Sequence, residues 1–412
     1  MRSRQSPLAK VWASISKYGL RAGLRDAAAR WGRGRLKLPY DVLGDYGWVL
    51  APDRPARLKA SPRPGALSIN WLVPDVSWGS GGLFNIFRSI RHLEQWGHKN
   101  RVYVVGAAGR GSALAQVVNR KYFPIQAPVQ PFTGEMADSE ALVATSWVTA
   151  YAARALENTA RKFYFVQDLE HLFFPPGSLH EFARQTYGWG FHGITAGPWI
   201  AQVLEREFGM RCSSFGFSFD REIYSAQGRR RLPEGKKRVL FYARPASERR
   251  GFELGVLALS LVAQKMPEAE FVLVGFPRQP LRLPFSAALP GVLPPTELAG
   301  LYRSCEVALV LSHTNLSLLP LELMACGCAV VSNSGPNVEW LLTAEAAQLT
   351  PPTPDALAGA VLTLLENDDL RARKAAAGLA LAQSTDWMAA SRAIEAGLRR
   401  GLELAREEGR SV

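Results

Sequence analysis

The stretch Val239-Leu240-Phe241-Tyr242-Ala243-Arg244 decides the fold, together with Arg250-Gly251 six residues on and the helical run Phe252-Glu253-Leu254-Gly255-Val256-Leu257-Ala258-Leu259. It reads as a buried strand ending in a cation, a short loop, and a helix N-terminus. Backbone N–H groups at a helix start, with a cation beside them, form an anion site. About seventy residues on, the pattern recurs. Glu306 to Ser312 reads as a second buried strand and His313 to Ser317 as a polar loop. Leu318 to Gly327 reads as a helix closed by Gly327, ahead of the strand Ala329-Val330-Val331-Ser332. In open α/β sheets ligands bind at loops on the carboxyl ends of parallel strands. One such edge here carries Arg244, Arg250, a helix N-terminus and the Glu322 carboxylate, which outlines a nucleoside diphosphate site.

Outward from this stretch, strand and helix patterns alternate, which favours parallel sheets covered by helices. Toward the N-terminus, strand-like runs fall at 67–73, 101–105, 140–145, 162–167 and 192–196, with helical patterns near 82–96, 148–160, 178–188 and 198–208. The polar, basic tract from Ser225 to Lys237 reads as a linker, and a second alternating series runs from 238 to about 375. A last helix spans Trp387 to about Glu407. The expected organisation is a basic extension over 1–60, one Rossmann-like domain over 61–232, a second over 233–386, and a terminal helix over 387–412. The fold class is α/β, two Rossmann-like domains facing across a cleft.

These residues resemble the nucleotide-binding half of a GT-B glycosyltransferase of the large retaining family 4. That family carries a strand ending in G-R, a K-G shortly after, and a late block similar to Pro320-Leu321-Glu322-Leu323-Met324-Ala325-Cys326-Gly327-Cys328-Ala329-Val330-Val331. The likeness continues to Gly335 and Glu339. One departure concerns the family's two glutamates eight positions apart: Glu322 matches the second, but Thr314 stands at the first. The wording around Phe241-Tyr242-Ala243-Arg244-Pro245 and Tyr164-Phe165-Val166-Gln167-Asp168 resembles a narrower group, the rhamnosyltransferases of bacterial S-layer glycans and polyrhamnose chains. Members of that group also lack the first glutamate. The resemblance implies a terminal helix crossing back to the first domain and transfer with retention. It also implies a donor such as dTDP-L-rhamnose or another nucleotide sugar, and an acceptor that is a glycan or lipid-linked glycan.

Composition bounds the rest. The 412 residues suffice for two domains with their own cores. Four cysteines, Cys212, Cys305, Cys326 and Cys328, form no C-x-x-C pair, which argues against a disulfide framework or zinc site and for a reducing compartment. No apolar run of about eighteen residues is present, and the N-terminus lacks an apolar signal-peptide core, so a cytoplasmic location is expected. The net charge of +13 is concentrated in residues 1–40, where ten Lys or Arg face one acid, Asp26. Leu8, Val11, Trp12, Ile15 and Tyr18 recur there at helical spacing. A basic amphipathic helix of this kind either rests on an anionic membrane or packs on its own domain. Nucleic acid is not expected, since no recognition motif accompanies the charge. Oligomeric state is not legible.

The chemistry divides between the two expected domains. The loop Pro74 to Gly82 resembles the family's glycine loop facing the donor diphosphate, with Gly81 and Gly82 leaving backbone N–H groups open at the next helix. Asp168, at a strand end, matches a position near the transferred sugar, or caps a turn; His171 reads as structural. Asp220 also reads as structural. Arg244 and Arg250 suit a leaving diphosphate, because guanidinium pairs phosphate oxygens in a bidentate way. Arg249 competes with Arg250 for the inward direction. Ser317, Leu318 and Leu319 supply backbone amides, and the resemblance gives Glu322 the ribose and Pro294 the base. No D-x-D marks a metal site, so no metal is expected. The alternatives are a GT-B enzyme with another donor, a sugar-nucleotide epimerase, or a non-catalytic sugar- or nucleotide-binding relative.

Overall fold

A computed structural model describes residues 41–59, 65–76, 81–107, 113–229, 236–277 and 281–408. The basic tail 1–40 and part of the glycine loop, residues 77–80, lie outside the described residues. The described chain divides into two compact units. The first holds residues up to Ala196, Ala201–Phe215, and those from Ser391 onward; the second holds Gly197–Ile200 and Gly216–Ala390.

In the first unit, seven strands form one parallel sheet: β1 (Ser68–Val73), β2 (Lys99–Val104), β3 (Val129–Pro131), β4 (Ser139–Ala144), β5 (Thr159–Val166), β6 (His192–Ala196) and β7 (Cys212–Phe215). Their spatial order is β3-β2-β1-β4-β5-β6-β7. The order reverses between β1 and β4, the switch point where such sheets bind ligands. β1 runs straight into the loop that precedes helix α1 (Gly81–Gln95). The strands are apolar on both faces, as a helix-covered parallel sheet requires, and Trp71, Phe163 and Phe165 are fully buried.

The second unit repeats the plan with β8 (Arg238–Tyr242), β9 (Glu270–Val274), β10 (Ala288–Gly291), β11 (Val307–Val310), β12 (Ala329–Asn333) and β13 (Ala347–Thr350). The order is β10-β9-β8-β11-β12-β13, all parallel. Its switch point lies between β8 and β11, which pair through Phe241 and Leu309. The loops after these two strands are the ones that carry Arg244 and Ser312 to Ser317. Helix α2 (Phe252–Lys265) covers β8, and an added Cβ at Gly255 would lie 2.3 Å from the Phe241 ring. Gly255→Ala should therefore lower stability by roughly 1–3 kcal/mol, readable as a shifted denaturation midpoint; an unchanged midpoint would mean the ring moves freely.

The sequence reading places the major elements and misjudges several edges. The helix expected over 148–160 ends at Arg154, because pairing of Ser139 with Thr159 draws the following residues into β5. The strands β3 and β7 and the helix Ala113–Lys121 escape notice; β3 is three residues long, and β7 sits at an edge with little burial. The linker expected from Ser225 was to separate domains at 232/233. The chain instead changes unit at Gly216. The physical reason is local packing: Phe217 lies against Trp340 with ring centroids 5.5 Å apart, and Arg221 donates to the Gln383 and Thr385 carbonyls at 2.8 and 2.6 Å. The terminal helix, Trp387–Glu408, joins the first unit from Ser391, where His92 meets Ser391 at 2.8 Å and Arg161 meets Glu408 at 2.7 Å.

Candidate functional site

The loop between β8 and α2 is built of consecutive turns. Ser247 N–H donates to the Arg244 carbonyl at 2.9 Å, and Arg250 N–H to the Ser247 carbonyl at 2.8 Å. Gly251 then takes φ +56°, a left-handed turn that glycine adopts without strain, and α2 begins. An added Cβ there would lie 3.2 Å from His313 Nε2, so the turn also presses on the second loop.

Arg249 and Arg250 are both half-buried, and Arg250 bonds the second loop through its side chain. Its Nη1 donates to Ser312 Oγ at 2.5 Å and to the Asn315 carbonyl at 3.0 Å. Ser312 and Asn315 belong to the loop after β11, so Arg250 fastens one switch-point loop to the other. This bracing of the two loops is a role that spacing alone did not indicate. Arg249 contributes backbone, its carbonyl accepting from His313 N–H at 2.9 Å. Arg244 is exposed, with its guanidinium carbon 5.3 Å from the centre of the Tyr242 ring.

The second loop is held by residues the sequence reading did not single out. Ser312 N–H donates to Asn333 Oδ1 at 2.9 Å, and Asn333 Nδ2 returns a bond to the Ser312 carbonyl at 2.9 Å. Asn337 Nδ2 donates to the Ser312 and Thr314 carbonyls at 2.8 and 2.7 Å, and Trp340 Nε1 donates to Asn315 Oδ1 at 2.8 Å. Thr314 is buried inside this net. The proximity of Asn337 and Trp340 to Gly335 and Glu339 was the available signal, but only the latter pair matched a familiar wording. Glu339 caps its own short helix, accepting from Gly335 N–H at 2.8 Å.

Beyond the net, Ser317, Leu318 and Leu319 are half-buried and lead into helix α3 (Leu319–Ala325). The helix is shorter than expected, and no side chain caps its start. Pro320 removes one backbone N–H donor from the first turn and fixes the turn's backbone. Pro294 caps the helix Pro295–Arg303, which brings Tyr302 toward α3.

Glu322 sits in an aromatic enclosure. The residue is half-buried overall, but its carboxyl is crowded enough that burial pushes its pKa up to about 7; the charge of Asp220 adds to the rise and a hydrogen bond with Tyr224 opposes it. The Tyr224 and Tyr302 rings stack with centroids 6.0 Å apart. The Tyr302 hydroxyl is buried with no protein hydrogen-bond partner, and burial raises its pKa well above the usual value. Asp220, read from sequence as structural, raises the pKa of the Glu322 carboxyl, while its own carbonyl accepts from Ile223 and Tyr224 N–H groups. The i, i+4 spacing of Asp220 and Tyr224 was the only hint.

In the first unit, Gln167 ties the strand end to the helix start: its Nε2 donates to the Gly82 carbonyl at 3.0 Å, and Asn85 Nδ2 donates to its Oε1 at 2.9 Å. Gly82 has little room for a side chain, since an added Cβ would lie 3.0 Å from Gln167 Nε2; Gly81 has open space. Asp168 is buried, and one carboxylate oxygen accepts from the N–H of the adjacent Leu169 at 2.9 Å, while the turn Glu170–Phe173 that follows has no side-chain cap. His171 lies among His180, Tyr187 and Phe208, and burial lowers its pKa to about 4. It is a packing residue. Among the described residues no cluster of three or more His, Cys, Asp or Glu is placed to hold a metal ion.

Residues 237–362 match the family model described as WsaF, C-terminal domain. The O-antigen biosynthesis protein RfbC of Myxococcus xanthus is 35% identical over 261 residues, 62% of this chain and 20% of RfbC. A phosphatidyl-myo-inositol mannosyltransferase of Mycobacterium tuberculosis is 30% identical over 201 residues, 45% of this chain and 51% of the relative. The chain thus spans a fifth to about half of the length of these curated relatives. Among solved structures, sucrose-phosphate synthase of Thermosynechococcus elongatus has a TM-score of 0.59 at 14% identity, covering 84% of this chain and all of that one. HepE of Anabaena, in complex with UDP and glucose, has a TM-score of 0.59 at 17% identity, covering 81% of this chain and 100% of its own. With two Rossmann-like units, each built on a parallel sheet, the chain has the GT-B glycosyltransferase fold.

Proposed function

We propose that the protein is a glycosyltransferase of bacterial surface-glycan synthesis, moving L-rhamnose from dTDP-L-rhamnose to a growing or lipid-linked glycan with retention and without a metal ion. The observation that carries the transferase reading is the switch point of the second unit, where Arg250 fastens the two loops that present Arg244, the start of α3 and Glu322. The name of RfbC, an O-antigen biosynthesis protein, supports a surface glycan; the rhamnosyl donor rests on the wording around Arg244 and Asp168.

In this reaction the bond between the anomeric carbon and the diphosphate oxygen breaks, and the acceptor hydroxyl oxygen takes its place on the same face. The acceptor proton goes to the departing phosphate. Negative charge grows on the diphosphate as the bond stretches, and fixed cations and N–H groups stabilise that charge more than the ground state. Arg244 and the first N–H groups of α3 are assigned this work, with Glu322 on the ribose, Pro294 at the base, and Asp168, Gly81 and Gly82 on the sugar side.

Calorimetry with thymidine, uridine and guanosine diphosphates should show binding to at least one, in the presence of excess chelator. Failure with all three would remove the nucleotide-sugar reading, and dependence on a divalent ion would remove the metal-free one. Mass spectrometry of products from a panel of nucleotide sugars then tests the donor; turnover of another sugar with neglect of dTDP-L-rhamnose would replace it. The non-catalytic reading, suggested by Thr314 in place of a glutamate, predicts binding without turnover. A location at the inner face of the membrane, with residues 1–40 in contact with lipid, completes the proposal.

A further inference from the structure

Eight large hydrophobic side chains are strongly exposed among the described residues, and four of them fall in one nine-residue stretch: Val42 at 53%, Leu43 at 70%, Trp48 at 37% and Leu50 at 74%. Such crowding of exposed apolar groups marks an interaction surface, whereas single exposed leucines are ordinary. The stretch is firmly seated. It comprises the helical turn Val42–Tyr46, whose start is capped by Asp41 accepting from Gly44 N–H at 2.8 Å, and the tighter turn Gly47–Leu50. Tyr46 packs on Phe182 at 6.0 Å, Trp48 on Trp147 and Tyr151 at 5.4 and 5.1 Å, and Val49 joins the same apolar cluster. The stretch therefore turns one side inward and is held there while Val42, Leu43 and Leu50 remain outside.

We propose that Val42, Leu43, Trp48 and Leu50 form a docking patch that seats the first unit on an anionic lipid bilayer. The choice of lipid over another protein rests on charge and on the chain's continuity. Directly before Asp41 come forty residues holding ten Lys or Arg and one acid. The patch itself has no net attraction for anions: Asp41, Asp45 and Asp53 balance the exposed Arg54, Arg57 and Lys59. Attraction must come from residues 1–40, with the patch supplying the apolar insertion that cations alone cannot. Trp48 suits the boundary layer, since one side of its ring rests on Trp147 and Tyr151 while the remainder is exposed, and its indole N–H already donates to the Asp45 carbonyl at 2.9 Å. Two weak signals together give stable but reversible binding. No helix among the described residues is long and apolar enough to cross a membrane, so the contact is peripheral there. The inference adds residues 42–50 to the membrane contact proposed for 1–40 and does not depend on the transferase reading, because binding is measured without donor or acceptor.

The full chain should sediment with vesicles of mixed phosphatidylglycerol and phosphatidylcholine, less so in high salt, and little with phosphatidylcholine alone. The double variant Leu43→Asp, Leu50→Asp should bind the mixed vesicles at least tenfold more weakly, with unchanged circular dichroism and melting. Deleting residues 1–40 should also weaken binding. The proposal is overturned if the double variant binds as well as the wild type, or if the wild type does not bind. It is equally overturned if gel filtration shows a dimer that the double variant splits without any vesicle binding. A rise in binding on deletion of 1–40 would mean that this segment covers the patch, and would overturn it too.

Discussion

Arg244→Ala should reduce the rate of sugar transfer by about a hundredfold or more while leaving the melting temperature unchanged, whereas Arg250→Ala should reduce both. The difference follows from their surroundings. Arg244 is exposed and touches the Tyr242 ring, so its loss removes charge from the diphosphate position without uncovering a buried group. Arg250 donates to Ser312 Oγ and the Asn315 carbonyl. Its removal takes away two bonds that join the loops, although the Asn315 carbonyl keeps its bond from Ser312 Oγ at 2.8 Å, so the loss is about 1 kcal/mol. Arg250→Lys should not restore either property, because one ammonium cannot reproduce the guanidinium fork. Steady-state kinetics at saturating donor, set beside thermal melts, separates the two residues. A wild-type rate for Arg244→Ala would move the diphosphate elsewhere. An unaltered melt for Arg250→Ala would mean that the loop keeps its shape through Asn333, Asn337 and Trp340 alone.

Why the sequence revealed these loops and not their supports is a question of periodicity. β8 and β11 are short apolar runs ending in polar residues, and a parallel sheet forces both ends to one edge, so Arg244 and the Ser312 loop could be placed from pattern alone. The supports obey no period. Asn333 ends a strand, Asn337 and Trp340 lie in a one-turn helix, and each reaches Ser312 to Asn315 through side-chain bonds that depend on tertiary placement. The same holds for the unit boundary at Gly216. A polar tract from Ser225 resembles a linker, but Arg229 donates to the Cys326 and Gly327 carbonyls at the end of α3 and ties that tract down. In the first unit, the strand end and helix start were legible, while the amide relay from Gly82 through Gln167 to Asn85 was not. Local chemistry places these loops at the carboxyl edge of the sheet; long-range hydrogen bonds decide how firmly they are held.

Glu322 should make both stability and nucleotide affinity depend on pH between about 4.5 and 7, and Glu322→Gln should abolish that dependence. The carboxyl is raised from 4.5 to about 7, first by burial and then by the Asp220 charge. The folded state thus holds its proton more tightly than the unfolded chain. Stability from this group is complete below pH 4.5 and is lost as the pH rises toward 7, to a total on the order of 3 kcal/mol. The glutamine variant, neutral throughout, should match the wild type at low pH and exceed it above 7. Ligand binding runs the other way. A ribose hydroxyl that donates to the carboxylate favours the charged form, so nucleoside diphosphate affinity should rise from pH 6 to 8 and binding should release a proton. The Tyr302 hydroxyl near this carboxyl is fully buried and has no protein hydrogen-bond partner, which keeps the surroundings of Glu322 poor in polar support. Calorimetry in buffers of different ionisation enthalpy measures the released proton directly. If the wild type shows equal affinity at pH 6 and 8, or if the glutamine variant keeps the slope, the ribose does not rest on Glu322, and its carboxyl serves the packing of α3 against Tyr224 and Tyr302 instead.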